Sequence, residues 1–294
     1  MKSAVSYLFS LIVSVMLVFT LIGAVGSLTA NININEDKFH TLAADNDLSG
    51  KTRAQLDKYF SSRYNSTGIP ADVYMDAIDE AYLDRVINEY IDSGFNALRT
   101  GNDISVNVSN KKLDGSIDQF FVESADSANA KIDDRFEQKL DAAKESAYAV
   151  IMEYCDAYKF NSLKKHGVLD KLTPLFNRLD LIVIAFTVAS ALLMLLLLVI
   201  NIKSKPVTMF WIGVSSLITG IIAGVPSGFL LATRYFERFT IKQPQVYTAY
   251  TSVMKQYTNA FLSAAICGAA AGICFIIVYR TVISKNKTVA PTRV

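Results

Sequence analysis

Reactive and metal-binding side chains are scarce in this 294-residue chain, which has three cysteines, two histidines and one tryptophan. Three thiols at positions 155, 267 and 274 cannot build the multi-bridge framework that staples small secreted domains. Cys155 stands alone in the long polar stretch between the first two apolar blocks, which excludes an internal disulfide there. His40 and His166 lie far apart, neither beside a Cys or acid motif at metal-ligand spacing. No G-x-S-x-G, Walker loop, G-x-G-x-x-G or H-E-x-x-H occurs. Carboxylate pairs such as Asp76 with Glu80 share helix faces, as the surface of an acidic helical domain would. The expectation is a protein that is not an enzyme and carries no metal or cofactor.

Charge is scarce too, at 19% of residues against 51% hydrophobic, and the apolar excess is concentrated in four blocks. They run roughly from Tyr7 to Leu28, Leu179 to Ile200, Val207 to Ala232 and Ala260 to Ile283. Each is about the 20 residues that a ~30 Å hydrocarbon layer requires of a helix, and none has a charged residue in its central part. A backbone crossing lipid must satisfy its own hydrogen bonds, so the spacing predicts four transmembrane helices. The first block exceeds the usual signal-peptide core and reads as a retained anchor over 1–30. Basic residues set the orientation. Lys203 and Lys205 link the second and third blocks, and Arg280, Lys285, Lys287 and Arg293 cluster at and after the fourth. With Lys2, they place both termini in the cytoplasm of a multi-pass cell-membrane protein. Residues 31–176 and a loop at 233–259 then face outward, although that loop carries Arg234, Arg238, Lys242 and Lys255 against one acid, Glu237.

The stretch 31–176 reads as a helical extracytoplasmic domain inserted between spans one and two. From Asn31 to Lys171 it holds 17 basic and 25 acidic residues, a net of −8, while the whole chain is +2. That sign gives no support to nucleic acid as a partner. One helix is expected from Pro70, with Asp72 in its first turn and Gly94 after its last. Val73, Ala77, Ala81, Ile87 and Ile91 form a shifting apolar stripe, joined on its flank by Ile78, Tyr82, Val86 and Tyr90. A longer helix is expected from about Ser127 to Tyr158, with Phe136, Leu140, Ala143, Ala147, Val150 and Tyr154 at alternating steps of four and three. Between them, Ile104, Val106 and Val108 alternate as one strand or a loop.

Two local patterns invite sharper claims. "DNDLSGKTRAQL" begins like a calcium loop at Asp45, Asp47, Ser49 and Gly50, but Leu56 stands where the closing bidentate acid belongs. It therefore reads as a turn, with Ser49 capping a helix that begins near Lys51. Asn65-Ser66-Thr67 and Asn107-Val108-Ser109 are glycosylation sequons in the part placed outside.

In the third block, Ser216, Gly220, Gly224 and Gly228 stand four apart. Each step of four drifts only about 40° around a helix, so they trace a groove that another backbone can approach. Ala264, Gly268 and Gly272 repeat the spacing in the fourth block, Ala185 and Ala189 repeat it in the second, and Cys267 and Cys274 read as small packing residues. Pro226 removes a backbone donor to Ile222 and predicts a kink. Phe210, Trp211 and Tyr279 mark the inner boundary, and Tyr235, Phe236 and Phe239 the outer.

The layout of one span, a large outer domain and three more spans resembles the membrane subunits of some ABC-type exporters and of the bacterial division-associated ABC complex. That resemblance is one of topology and implies a coupling segment for an ATPase, for which Asn201 to Pro206 is short. The expected fold is mainly α, a four-span bundle with the outer domain inserted. The expected function is partner binding or ligand sensing by that domain. The expected partners are the lipid bilayer and a protein, or a second copy, met through the outer domain or the glycine-lined spans.

Overall fold

The structure, a computed structural model, describes residues 2–129 and 131–288, with side chains from 4 to 284 apart from 130. Lys2, Lys285, Lys287 and Arg293 therefore lie outside the described side chains. The described chain is nearly all helix and divides into two compact units. One unit comprises 1–34, 177–238 and 254–294, and the other 35–176 together with 239–253.

The first unit is built from α1 (Lys2–Asn33), α10 (Leu179–Ile200), α11 (Lys205–Ala232) and most of α12 (Pro244–Thr288). All four are long and apolar enough to cross a membrane. α1 packs against both α10 and α11 around Val13, Leu17, Leu197 and Trp211. The surface is inverted relative to a protein in water, with Phe19, Leu181, Val199 and Val225 each more than 60% exposed. Lipid accepts such a surface at no cost. At one end of the bundle Asn31 Nδ2 donates to Asp180 Oδ1 at 3.0 Å, Gln256 Nε2 donates to Asn33 Oδ1 at 3.4 Å and Lys255 bonds Glu237 at 2.9 Å. At the other, Asn201 Nδ2 donates to Ser10 Oγ at 2.9 Å.

α12 changes the expected loop. Helix starts at Pro244 rather than near residue 260, so the non-helical link after α11 shrinks to 233–243 and includes a single 3-10 turn, Tyr235–Arg238. At 45 residues, α12 is about 67 Å long, more than twice a ~30 Å hydrocarbon layer.

The second unit, the head, contains α2 (Glu36–Asp45), α3 (Leu48–Thr67), α4 (Ala71–Met75), α5 (Glu80–Thr100), α6 (Lys111–Ser127), α7 (Asp134–Cys155), α8 (Phe160–Lys165) and α9 (Val168–Phe176). Asn or Asp side chains start five of them: Asn35, Asp47, Asp79, Asn110 and Asp133 each accept a first-turn N–H. α5 is the axis, contacting α2, α3, α7, α8 and α9. Leu83, Val86, Ile91, Phe95 and Ala97 on α5 are at most 1% exposed. Fully burying one such large side chain contributes roughly 1.5–3 kcal/mol.

Several expected boundaries are corrected. The helix starting at Pro70 is two, because Asp79 takes the N–H of Tyr82 at 2.8 Å and restarts the chain. Arg53 stabilises the break, donating to Ile78 O at 3.0 Å and Met75 O at 3.3 Å. Ala81 is exposed, and the buried stripe of α5 runs through Tyr82, Leu83, Val86, Ile87, Tyr90 and Ile91. Gly94 lies inside α5, where an added Cβ would come 2.5 Å from the Phe160 ring; the helix ends at Gly101, with φ +77°. The helix expected over Ser127 to Tyr158 is confined to α7, whose start is capped by Asp133. Ser49 is a buried residue inside α3, and Asp47 caps that helix through Gly50 N. Ile104, Val106 and Val108 form no strand. Their segment is strapped to α5 by side chains, with Ser105 N donating to Ser93 Oγ and Asn107 N to Glu89 Oε2, both at 2.9 Å. Both sequon asparagines, Asn65 and Asn107, are exposed.

Candidate functional site

In the first unit α11 and α12 approach each other backbone to backbone at glycines. A Cβ on Gly220 would stand 2.7 Å from Ala265 O and from Ala269 Cβ, so only glycine fits there. Ser216 Oγ donates to Gly268 O at 2.7 Å, which adds a hydrogen bond to the seam. Gly272 meets Gly213 O and the backbone of Leu217, each 2.7 Å from where its Cβ would be. Further along, the fit relaxes. Gly224 would place a Cβ 3.4 Å from Ala265 Cβ, and Gly228 would reach only Leu262 at 3.9 Å. On α12 the contact register is Ala265, Ala269 and Gly272, one residue off Ala264 at its start. Gly213 belongs to the seam although it lies off the four-residue spacing; its position three before Ser216, on the same helix face, was the available signal.

Other small residues behave differently. Ala185 is exposed, and α10 meets α1 instead where Phe186 covers Gly23. Cys267 and Cys274 are exposed in this chain rather than packed between its helices. Pro226 sits within an α11 that stays helical from Lys205 to Ala232.

A second seam is polar. Ser14 Oγ and Ser215 Oγ are 2.6 Å apart and buried, and Ser215 Oγ also lies 3.0 Å from Ser14 O. Thr219 Oγ1 donates to Val18 O at 3.4 Å, one turn further on. These hydroxyls bind α1 to α11 where no water competes.

The head gathers polar groups that are distant in sequence. His40 on α2 is bracketed by α5, with Nε2 2.6 Å from Asp92 Oδ1 and Nδ1 2.8 Å from Asn88 Oδ1. Glu36 and Asp37 stand four and three positions before that histidine, yet the acid the fold pairs with it is 52 positions away. His166 stays local, its Nδ1 2.7 Å from Ser162 O. Asp156 is 4% exposed and accepts from Phe160 N at 2.8 Å and Asn161 N at 3.0 Å, starting α8. Burial pushes its carboxyl above the ordinary range despite these donors. Burial likewise raises the Tyr90 and Tyr74 hydroxyls to about 12, so neither is poised as a base near neutrality. A cavity of about 360 Å³ beside Asp156 is lined by Tyr90, Met152, Glu153, Lys159 and Asn161 among others. The Cys155 thiol is fully buried and shifted upward, which makes it inert.

The start of α12 belongs to the head's core. Val246 and Ala249 are buried, and Tyr250 Oη donates to Tyr158 O at 2.9 Å. Among the described residues, no group of three His, Cys, Asp or Glu side chains is placed to hold a metal ion. In the calcium-like stretch Leu56 is 0% exposed in the core and the Asp47 carboxylate is engaged as a helix cap. No family model, curated protein or solved structure matches this chain.

Proposed function

We propose that this chain is a non-enzymatic cell-membrane protein whose acidic helical head stands outside the cytoplasm and binds a partner or senses a ligand. The four membrane helices are its anchor and relay. The observation that carries this reading is the dual membership of α12. Its first turns are buried in the head's core, the rest belongs to the membrane unit, and one unbroken helix joins them. The proposed relay runs along this helix, from Tyr250 and Ala249 in the head to Ala265, Ala269 and Gly272 in the membrane unit. Outward orientation is supported by exposed Lys203 and Lys205 between α10 and α11 and by exposed Arg280 near the end of α12. The opposing cations of the outer link are partly neutralised, since Glu237 bonds Lys255 at 2.9 Å and lies 3.9 Å from Arg234. Between α10 and α11 the chain makes one short 3-10 turn, Ile202–Ser204, which gives an ATPase no docking helix and so does not favour a transport subunit.

The test is thermal unfolding of the full chain in nanodiscs against a panel of soluble ligands and periplasmic or extracellular extracts. Binding is expected to raise the unfolding temperature by mass action, and calcium to leave it unchanged. Catalytic turnover of any panel compound, or indifference to the whole panel, contradicts the reading.

A further inference from the structure

We infer that α9 is an interfacial helix lying in the headgroup layer of the bilayer, with its free apolar face in lipid and its basic flanks on anionic phosphates. At 100° per residue, Leu169, Thr173 and Phe176 share one face, and this face is turned to the head: Leu169 is 1% exposed, and Phe176 packs its ring 6.1 Å from Phe95. Val168, Leu172 and Leu175 share the adjacent face, which no described residue covers fully, at 37%, 40% and 55% exposure. The polar side is narrow, formed by Asp170, Pro174 and Lys171.

Covalent reach decides what meets the uncovered face. Phe176 is three residues before Leu179, the first residue of α10, so the end of α9 lies within about 11 Å of a membrane helix's first turn. The interfacial layers add roughly 5–7 Å on each side of the ~30 Å hydrocarbon core, so the end of α9 stays in one of them or within a few ångströms of it. Charge supports the same occupant. Lys165, Lys171 and Arg178 are exposed and enter no ion pair among the described residues, while Asp170 is held by Lys164 at 2.6 Å and Asp180 by Asn31. The stretch from α9 to the start of α10 is therefore locally basic although the head is acidic. Basic residues beside an exposed apolar stripe are the pattern of helices that lie on anionic lipid.

The inference rests on α10 spanning the bilayer, and the experiment separates the two. In a full chain carrying Cys267→Ala and Cys274→Ala, with buried Cys155 left in place, single cysteines at Leu172, Leu175, Asp170 and, in α10, Leu192 receive an environment-sensitive fluorophore. Nanodiscs then carry a quencher either shallow or deep in the acyl chain. Positions 172 and 175 are expected to lose fluorescence to the shallow quencher, 170 to keep it, and 192 to lose it to the deep quencher. Raising the anionic lipid fraction should deepen the loss at 175, and Lys171→Gln with Arg178→Gln should abolish that dependence. Quenching at 192 without quenching at 172 and 175 overturns the inference and leaves the span intact, as does crosslinking of position 175 between two copies. No quenching at 192 overturns both.

Discussion

The membrane unit and the head are built from the same secondary structure but are held together by opposite means. In the head, α5 meets its neighbours through large side chains, and Phe95 is ringed by Phe39, Phe160 and Phe176 with centroids 4.9 to 6.1 Å away. Removing such groups from water is the driving force, so size is what counts. Between α11 and α12 the contacts are Gly213, Gly220, Ala265, Ala269 and Gly272, and between α1 and α11 they are serine and threonine hydroxyls. Large side chains gain nothing there by leaving lipid, so close backbone approach and hydrogen bonds take their place. One lesson follows for reading mutations: loss of volume should damage the head, and gain of volume should damage the bundle.

The largest effect is expected from Phe95→Ala, which should cost the head about 3–5 kcal/mol, measured by chemical unfolding followed through the exposure of the buried Cys155 thiol. A cost under about 1 kcal/mol would mean that the aromatic cluster is not the head's core. Next is Gly220→Leu, where the added side chain meets α12 backbone at 2.7 Å and overpacking of about 1–3 kcal/mol or more should lower detergent stability. Gly224→Ala, whose added Cβ would meet Ala265 Cβ in ordinary contact at 3.4 Å, should be tolerated; equal melting of the two would break the seam assignment.

A smaller effect is tied to pH. Asp156 has its folded carboxyl pushed above the ordinary range, so the folded head binds that proton more readily than the unfolded chain. Its contribution is full below about pH 4 and is lost as pH rises through the elevated value. Relative to Asp156→Asn, the wild-type head should lose stability over that rise; parallel curves would show that the carboxylate is not desolvated. Ser14→Ala should matter least, about 0.6 kcal/mol, because a hydroxyl bond between membrane helices averages no more. Ser215 also keeps the Ser14 carbonyl at 3.0 Å.

How legible these features were in the sequence follows from the same contrast. The existence of four apolar helices was plain, since hydropathy alone marks a segment that can lie in lipid. The start of α12 was not, because "PQVYTAYTSVMKQYTN" is polar enough to read as a loop; its helix is held by Val246, Ala249 and Tyr250 in the head's core, which only tertiary structure shows. α6 was missed for a related reason. Asp114, Gly115, Ser116 and Asp118 look like turn chemistry, yet Asn110 caps the helix and Leu113 and Ile117, four apart, are both 0% exposed. The small-residue line on α11 was readable as spacing, but its grading from tight at Gly220 to loose at Gly228 depends on the path of α12.

In the proposed topology the head and the end of α12 are on opposite sides of the membrane. With Cys267 and Cys274 replaced by alanine and Cys155 left buried, single cysteines at Ser124 and Thr288 are exposed in intact cells to a membrane-impermeant thiol reagent. Labelling is expected at position 124, and at 288 only after the membrane is permeabilised. Labelling of 288 in intact cells, or protection of 124, would contradict that topology.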